Sequence, residues 1–503
     1  MQSPLKPISM ASLVLLGTAS LALGEVTPEE VWQNWQDSSV AMGQTMIAAS
    51  TTRDGDSLVI KDITIASAVD GVTVEGSLAE VVMTDQGDGT VMIVSAPEFP
   101  MKMRAPAHVA GQPDVEMTFL LSHTDWVLLA SGTAEDISYD MTAPTITLKL
   151  QHAGGPAGQM DNLTVEATLN DLAGTYSTKS DGAGLQVDSD ITIAGIALAM
   201  MGADPAQGSE LRLTSSMEGV AVKSVGAMLQ PVTSTAMSAE VLAKMDSTSD
   251  MSVASTQFDL EIVDQNGPTS VKGTTGASNV LGKIIGGVME YSGAQSQIVM
   301  TINAPNIPVP DLSVTLDAMN FGIKLPLIPS DVALPFAFST SLQNLALSDQ
   351  LWAIFDPTAS LPRDPINFVL DTEGMAKPNA MPAPGTEMAG MPAELESLNL
   401  KQLRLSVAGA DLQGSGTSTF EPAEMGGMPN PNAKLDFTLT GANALMDKLV
   451  AAGLITPEML TMPRMMLAMV ARPAADGSDS YESAIEIKDK AIFANGQKLH
   501  QMQ

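Results

Sequence analysis

One pattern dominates the 503 residues: from Ser57 onward, short segments place apolar residues at every second position. It is visible in Val72 to Met83, Thr90 to Val94, Leu163 to Leu169, Leu211 to Met217, Phe258 to Val263, Ile298 to Ile302, Phe336 to Leu342, Ile366 to Leu370, Leu403 to Val407 and Leu435 to Leu439. A period of two puts one set of side chains on one face of a strand and the rest on the other, so the body is read as antiparallel β. Turn dipeptides stand beside these runs: Asp54-Gly55, Asp70-Gly71, Asp88-Gly89, Asp181-Gly182, Glu218-Gly219, Asn266-Gly267 and Asn495-Gly496. Each pair tolerates the positive φ that tight hairpins need. The expected class is mainly β, with extended antiparallel sheets that are groove-like or sandwiched. Strands of this kind bury one face only, and what covers that face decides between the two.

A loose unit recurs in LTVEATLNDLAG from Leu163, LRLTSSMEGVAV from Leu211, FAFSTSLQNLAL from Phe336 and LRLSVAGADLQG from Leu403. Each returns to an apolar residue at its tenth position, but the irregular spacing fits ordinary hairpins as well as a repeat. Residues 374–395 and 421–432, rich in Met, Pro, Ala, Gly and Glu, read as long loops. Pro305, Pro308, Pro310, Pro326, Pro329 and Pro335 bracket strands expected to lie away from the sheet centre, because proline removes a ladder donor.

Two helical regions frame this body. Thr27, Pro28 and Glu30 form a capping-box signature, followed by Trp32, Trp35, Ser39, Met42 and Met46 along one stripe. Near the other end, residues 442–471 predict a helical hairpin: Leu445, Leu449 and Ala452 share a face, Gly453 stops the first helix, and Thr456-Pro457 starts the second. Pro463 either kinks that helix or restarts it, and a last strand or hairpin runs from Tyr481 to Leu499.

Residues 1–24 read as a cleavable secretory signal: Lys6, an apolar run from Met10 to Ala19, and Ala22-Leu23-Gly24 before a cut between Gly24 and Glu25. The remainder, 25–503, is treated as one family domain with no transmembrane segment, its longest apolar run being Ile191 to Met201. The absence of cysteine excludes disulfides, thiolate metal sites and thiol nucleophiles, and suits a periplasmic location. A formal charge of −33 with 24 basic residues argues against nucleic acid as a partner.

No constellation for catalysis stands out, and no cofactor is expected. Gly-x-Ser-x-Gly and His-Glu-x-x-His are absent, and Gly276 to Lys283 has the wrong spacing for a phosphate loop. His108, His123, His152 and His500 show no metal-binding spacing. Asp85 to Gly89 and Asp476 to Asp479 offer oxygen ligands, though too few for a complete calcium loop, and read as hairpin turns. Methionine is abundant, at 34 residues. Met375, Met381, Met388 and Met391 dot the first loop, and Met459, Met462, Met465, Met466 and Met469 crowd the second helix. Packing of Met462, Met466 and Met469 on a core face is the favoured reading; a soft Cu(I) site or an adaptable apolar groove are the alternatives.

The segment LWAIFDPTASLPRDPINFVLDTEG from Leu351 is read physically as a short turn capped by Ser348, with Trp352 and Phe355 on one face. Asp356-Pro357 ends it, Leu361-Pro362 follows, Arg363 and Asp364 pair locally, and Pro365 leads into a strand. This FDP…LPRDP arrangement resembles the domain-of-unknown-function family 2125, exported proteins of alphaproteobacteria. TPEEVWQNWQDSSVAMGQ from Thr27, GDGTV at Gly87, LAGTY at Leu172 and NGQKL at Asn495 look like the same family. The resemblance implies no catalytic residue, so the motif residues are read as structural. A weaker likeness, in the strands and terminal hairpin, is to AsmA-like envelope proteins, where long sheets form an apolar groove for lipids; it is an analogy of fold. The functional expectation is an exported, non-catalytic envelope protein that binds a lipid or other amphiphile on an apolar β surface or serves a structural role. The alternative is a periplasmic methionine-rich copper binder.

Overall fold

The structure, a computed structural model, describes residues 25–69, 71–107, 113–155, 162–180, 185–204, 208–228, 239–307, 309–379, 393–421 and 430–501. The proposed signal, His108, Asp70, the Asp181-Gly182 dipeptide and most of the two Met/Pro-rich loops lie outside these residues.

Helix α1 (Pro28–Ala41) begins at its capping box: the Glu30 N–H donates to Thr27 Oγ1 at 3.3 Å and the Thr27 N–H to Glu30 Oε2 at 2.8 Å. It ends at the cap Met42, so Met46, expected on the helical stripe, belongs instead to the strand Gln44–Asp54. Gly43 at φ 71° makes the sharp exit. Met46 still packs against the same core as Trp32 and Trp35.

Among the described residues the strand segments that follow, 26 in all, belong to one antiparallel sheet and not to two separate sheets. Neighbours in the chain are neighbours in the sheet. Short segments that seem to branch are collinear halves of longer strands: Val91–Ser95 and Glu98–Ala105 both face Val72–Asp85, and Asp246–Val253 and Ser255–Asp264 face Ser209–Met228. The strands are much longer than the alternating runs suggest, reaching 20 residues in Leu185–Asp204 and Ser209–Met228.

The reason is a crease. Midway along strand after strand one residue drops out of the pairing: Asp62 between Lys61 and Ile63, Asp171 between Asn170 and Leu172, Gly219 between Glu218 and Val220, Gln297 between Ser296 and Ile298. Each has positive φ, as do Asp125 and Asn344 at the corresponding points of their strands, all between 49° and 59°. A residue turned into left-handed space reverses the pleat, so the apolar set moves from odd to even positions while staying on the same face. Leu169 and Leu172, three apart, accordingly pack on one cluster with Ile193, Val220 and Val253. In every case the turned residue is exposed and polar or glycine, and an apolar residue follows it: Ile63, Trp126, Leu172, Val220, Ile298 and Leu345.

The loose sequence unit is this crease. Its ninth position is Asp171, Gly219 or Asn344 in three of the four copies. The fourth, from Leu403, is a hairpin turning at Ala408 and Gly409. Glu218-Gly219 is therefore not a turn but a point inside Ser209–Met228, where close approach to Ala254 leaves no room for a larger residue.

Two further expectations need correction. The strands Leu312–Pro326 and Leu334–Leu347 are paired on both edges although Pro326 and Pro335 sit in them; each proline lies at a strand end, where the ladder needs no donor. The first loop is shorter than 374–395, because Ile366–Pro378 and Ala393–Val407 extend into it and pair with each other. The helical hairpin forms as Ala442–Ala451, a 3₁₀ turn Pro457–Leu460 and Thr461–Val470, with Pro463 in the first turn of a restarted helix.

The two faces of the sheet differ in chemistry. One carries cross-strand ion pairs set directly opposite in register: Lys61–Glu80, Lys149–Glu166, Lys179–Asp136, Lys223–Asp190, Lys272–Asp259 and Lys324–Glu290. The other is apolar. At the amino-terminal end it is covered by α1, which buries Val31 and Trp32 against Ile60, Ile63, Val81, Met83, Ile93 and Tyr139.

Candidate functional site

Under α1 the sheet curls around a cavity of about 490 Å³. Strands from Gln44–Asp54 through Leu185–Asp204 contribute to its wall, which includes Met46, Ile65, Leu78, Phe99, Leu121 and Val187. The size falls within the range typical of small-molecule pockets, about 300–1,000 Å³. No Asp, Glu, Lys or Arg lines it.

Polar groups enter at its rim and at one corner. Asn34 of α1 ties the helix to the sheet: Tyr139 donates its hydroxyl to Asn34 Oδ1 at 2.8 Å and Thr178 Oγ1 donates to the same oxygen at 3.2 Å. Tyr139 stacks on Tyr176 with ring centroids 4.5 Å apart. Burial pushes both phenols well above their usual pKa, and for Tyr139 the neighbouring Tyr176 adds to the effect. The indole of Trp35 lies toward these hydroxyls but closes no hydrogen bond of ordinary geometry. At the corner, His123 Nε2 lies 2.9 Å from the Ala96 carbonyl oxygen and 3.0 Å from Ser95 Oγ. Its ring meets Trp126 edge to face at 5.2 Å. His123 Nδ1 and Trp126 Nε1 are buried and have no hydrogen-bond partner.

The cavity continues along the sheet. Val187 lines both it and a second, more open hollow of about 510 Å³ whose wall includes Met245, Ile284, Met289 and Tyr291. Pairing register carries the same face onward, through Met251, Tyr291, Leu325 and Phe338, which are 40–42% exposed. These large apolar side chains are left open to water.

Sequence reasoning missed this cavity. The helical stripe that holds Trp35 and the spacing of His123 do not point to a shared cavity, and no local motif joins two residues that stand 88 apart in the chain. His152 and His500 lie exposed on separate strands. Asp85 and Asp88 brace a hairpin turn, accepting from the Gly87 N–H at 2.8 Å and the Thr90 N–H at 3.1 Å, and Asp476 does the same for Ser478 at 2.9 Å. The Thr90 hydroxyl and N–H on Asp88, and the Ser478 hydroxyl and N–H on Asp476, hold the Asp88 and Asp476 carboxyls below their usual pKa. The methionine expectation fails: Met459, Met462, Met465, Met466 and Met469 are all more than half exposed, because the helix Thr461–Val470 stands off the sheet and buries none of its residues.

The FDP…LPRDP block is far from the cavity and forms a self-contained loop after the helix Asp349–Phe355. Ser348 caps the helix, accepting from the Leu351 N–H, and Trp352 is buried against Phe355 with ring centroids 5.0 Å apart. The wholly buried Asp356 carboxylate accepts from the Leu361 N–H at 2.8 Å, the Ser360 N–H at 3.0 Å and Thr358 Oγ1 at 3.3 Å. Desolvation works to raise its pKa, yet these donors and nearby Arg363 outweigh it and hold the carboxyl below its usual value. Pro357 turns the chain, Leu361 is buried, and Pro362 rests against the Gly409 turn. Arg363 pairs with Asp349, not Asp364, because the loop folds back on the helix; Pro365 then opens the strand Ile366–Pro378.

This loop is a structural staple, and it lies inside the part of the chain with a recognisable family. Residues 293–499 match the family model DUF2125, described as uncharacterized protein conserved in bacteria. That segment is similar to DUF2125. The match takes in FDP…LPRDP and NGQKL; TPEEVW, GDGTV and LAGTY, and with them the cavity, fall outside it. No curated protein and no solved structure matches the chain, so the likeness to AsmA-like proteins rests on the strand pattern alone.

Proposed function

We propose that this is an exported, non-catalytic envelope protein that holds a lipid or similar amphiphile on the apolar face of its sheet. The observation that carries the reading is the cavity under α1, which has no charged side chain among its described lining residues and neighbours a second, largely apolar hollow where Lys283 and Glu290 also stand. Burying an acyl chain there removes apolar surface from water on both sides, worth about 25 cal/mol per Å² before the costs of binding. Among the described residues no helix is long and apolar enough to cross a membrane. The test is native mass spectrometry of the full chain purified from its own cells. An apolar adduct at fixed stoichiometry, displaced when Leu121→Trp fills the cavity, is the expected result; a bare chain that also takes up no added lipid would sink the reading.

A second reading attaches to Thr461–Val470, where Met462, Met465, Met466 and Met469 present their thioethers to solvent on one helical face. Soft ligands at this spacing suit Cu(I). It requires Cu(I) uptake that disappears when the four become leucine, with thermal stability unchanged.

A further inference from the structure

We propose that the cavity under α1 selects an uncharged amphiphile whose polar end is a hydroxyl, seated between His123 and Trp126. The proposal rests on the amphiphile reading above and adds the head-group chemistry.

Three observations lead to it. First, the Ala96 carbonyl can only accept, so the tautomer that satisfies it carries its hydrogen on Nε2, 2.9 Å away, and has a lone pair on Nδ1. Second, the neighbouring Trp126 Nε1 can only donate. One buried acceptor and one buried donor therefore lie on two rings in edge-to-face contact, centroids 5.2 Å apart, each without a partner. Buried polar groups are rarely left this way, and a group that both donates and accepts satisfies the two at once. Third, the rest of the wall has no cation to neutralise a carboxylate or phosphate, in a chain of net charge −33. A charged head belongs in water; a hydroxyl fits the corner. The apolar tail then has one direction to run, past Leu121 and Val187 toward the open face, so α1 marks the closed, head-binding end of the groove.

The full chain, stripped of bound lipid, is titrated with cetyl alcohol, its methyl ether and palmitate near neutral pH. The alcohol should bind at least about tenfold more tightly than the ether, which accepts but cannot donate, and than palmitate, whose charge is not met. His123→Phe should bring the alcohol down to the affinity of the ether while leaving the ether, which donates nothing to Nδ1, unchanged, and Trp126→Phe should weaken alcohol and ether alike, a pattern that a general loss of fold cannot produce. Equal binding of all three by the wild type overturns the head-group assignment and leaves the groove standing; so does tighter binding of palmitate. Binding of none of them overturns the amphiphile reading itself. The comparison on the wild-type chain decides even if a variant fails to fold.

Discussion

The two ends of the sheet are built from the same kind of strand and reach opposite states. In the amino-terminal part α1 lies across the apolar face, and Ile60, Val81, Met83 and Tyr139 are fully buried. From Val288–Asn303 onward the equivalent face is open where Leu325 and Phe338 are 40% exposed, while the short helix Asp349–Phe355 packs on the strand Leu312–Pro326, in which Leu312 and Leu316 are buried. The pleat, the crease and the ion-paired outer face are common to both. What differs is the cover, so stability should concentrate at one end and binding surface should extend toward the other.

The largest difference should appear at alkaline pH. Tyr139 and Tyr176 have pKa values raised by burial, so they stay protonated in the fold while the unfolded chain ionises near pH ~10. Their contribution is complete below that value and is lost as pH climbs above it. Circular dichroism during an alkaline titration should show the amino-terminal end melting first, together with the ultraviolet signal of two tyrosines. Next comes truncation: Ile60→Ala should cost about 2–5 kcal/mol, and Leu325→Ala under about 1 kcal/mol, by denaturant unfolding. Similar costs at the two sites would mean that the open face is covered after all.

The crease should not distinguish the ends. Asp171→Val and Asn344→Val should each lose about 1–3 kcal/mol, because a β-branched residue resists positive φ, whereas Asp171→Gly should be tolerated. The smallest effects belong to the outer face. Lys149→Ala and Lys324→Ala should change stability by no more than about 1 kcal/mol, since both pairs are solvent-exposed.

Much of this was legible in the residues. Alternation gave the strands, the capping box placed α1, and FDP…LPRDP marked the DUF2125 segment. The crease was written there too, as Asp171-Leu172, Gly219-Val220 and Asn344-Leu345. Its effect on a reading by periodicity is to end each strand early, because reversal of the pleat breaks the count of two while the apolar face continues. Glu218-Gly219 has turn chemistry for the same reason that it serves a crease: both need left-handed backbone. The cavity was not legible. Trp35, His123 and Tyr176 meet through the curl of the sheet, and curl is a sum of small twists that no local pattern records. The exposed methionines were misread because a helix with one apolar face ordinarily docks, and nothing in Thr461–Val470 itself says that it stands off the sheet.

The tryptophans allow the central claim to be tested directly. Trp35 and Trp126 line the cavity, Trp32 is buried beside it, and Trp352 is buried in the distant DUF2125 segment. The measurement is quenching of tryptophan fluorescence by a brominated acyl amphiphile in the wild type and in Trp126→Phe, Trp35→Phe and Trp352→Phe. If the groove ends under α1, quenching is saturable, shrinks in the first two variants and persists in the third. Quenching that is absent, or that vanishes only with Trp352→Phe, would contradict the account.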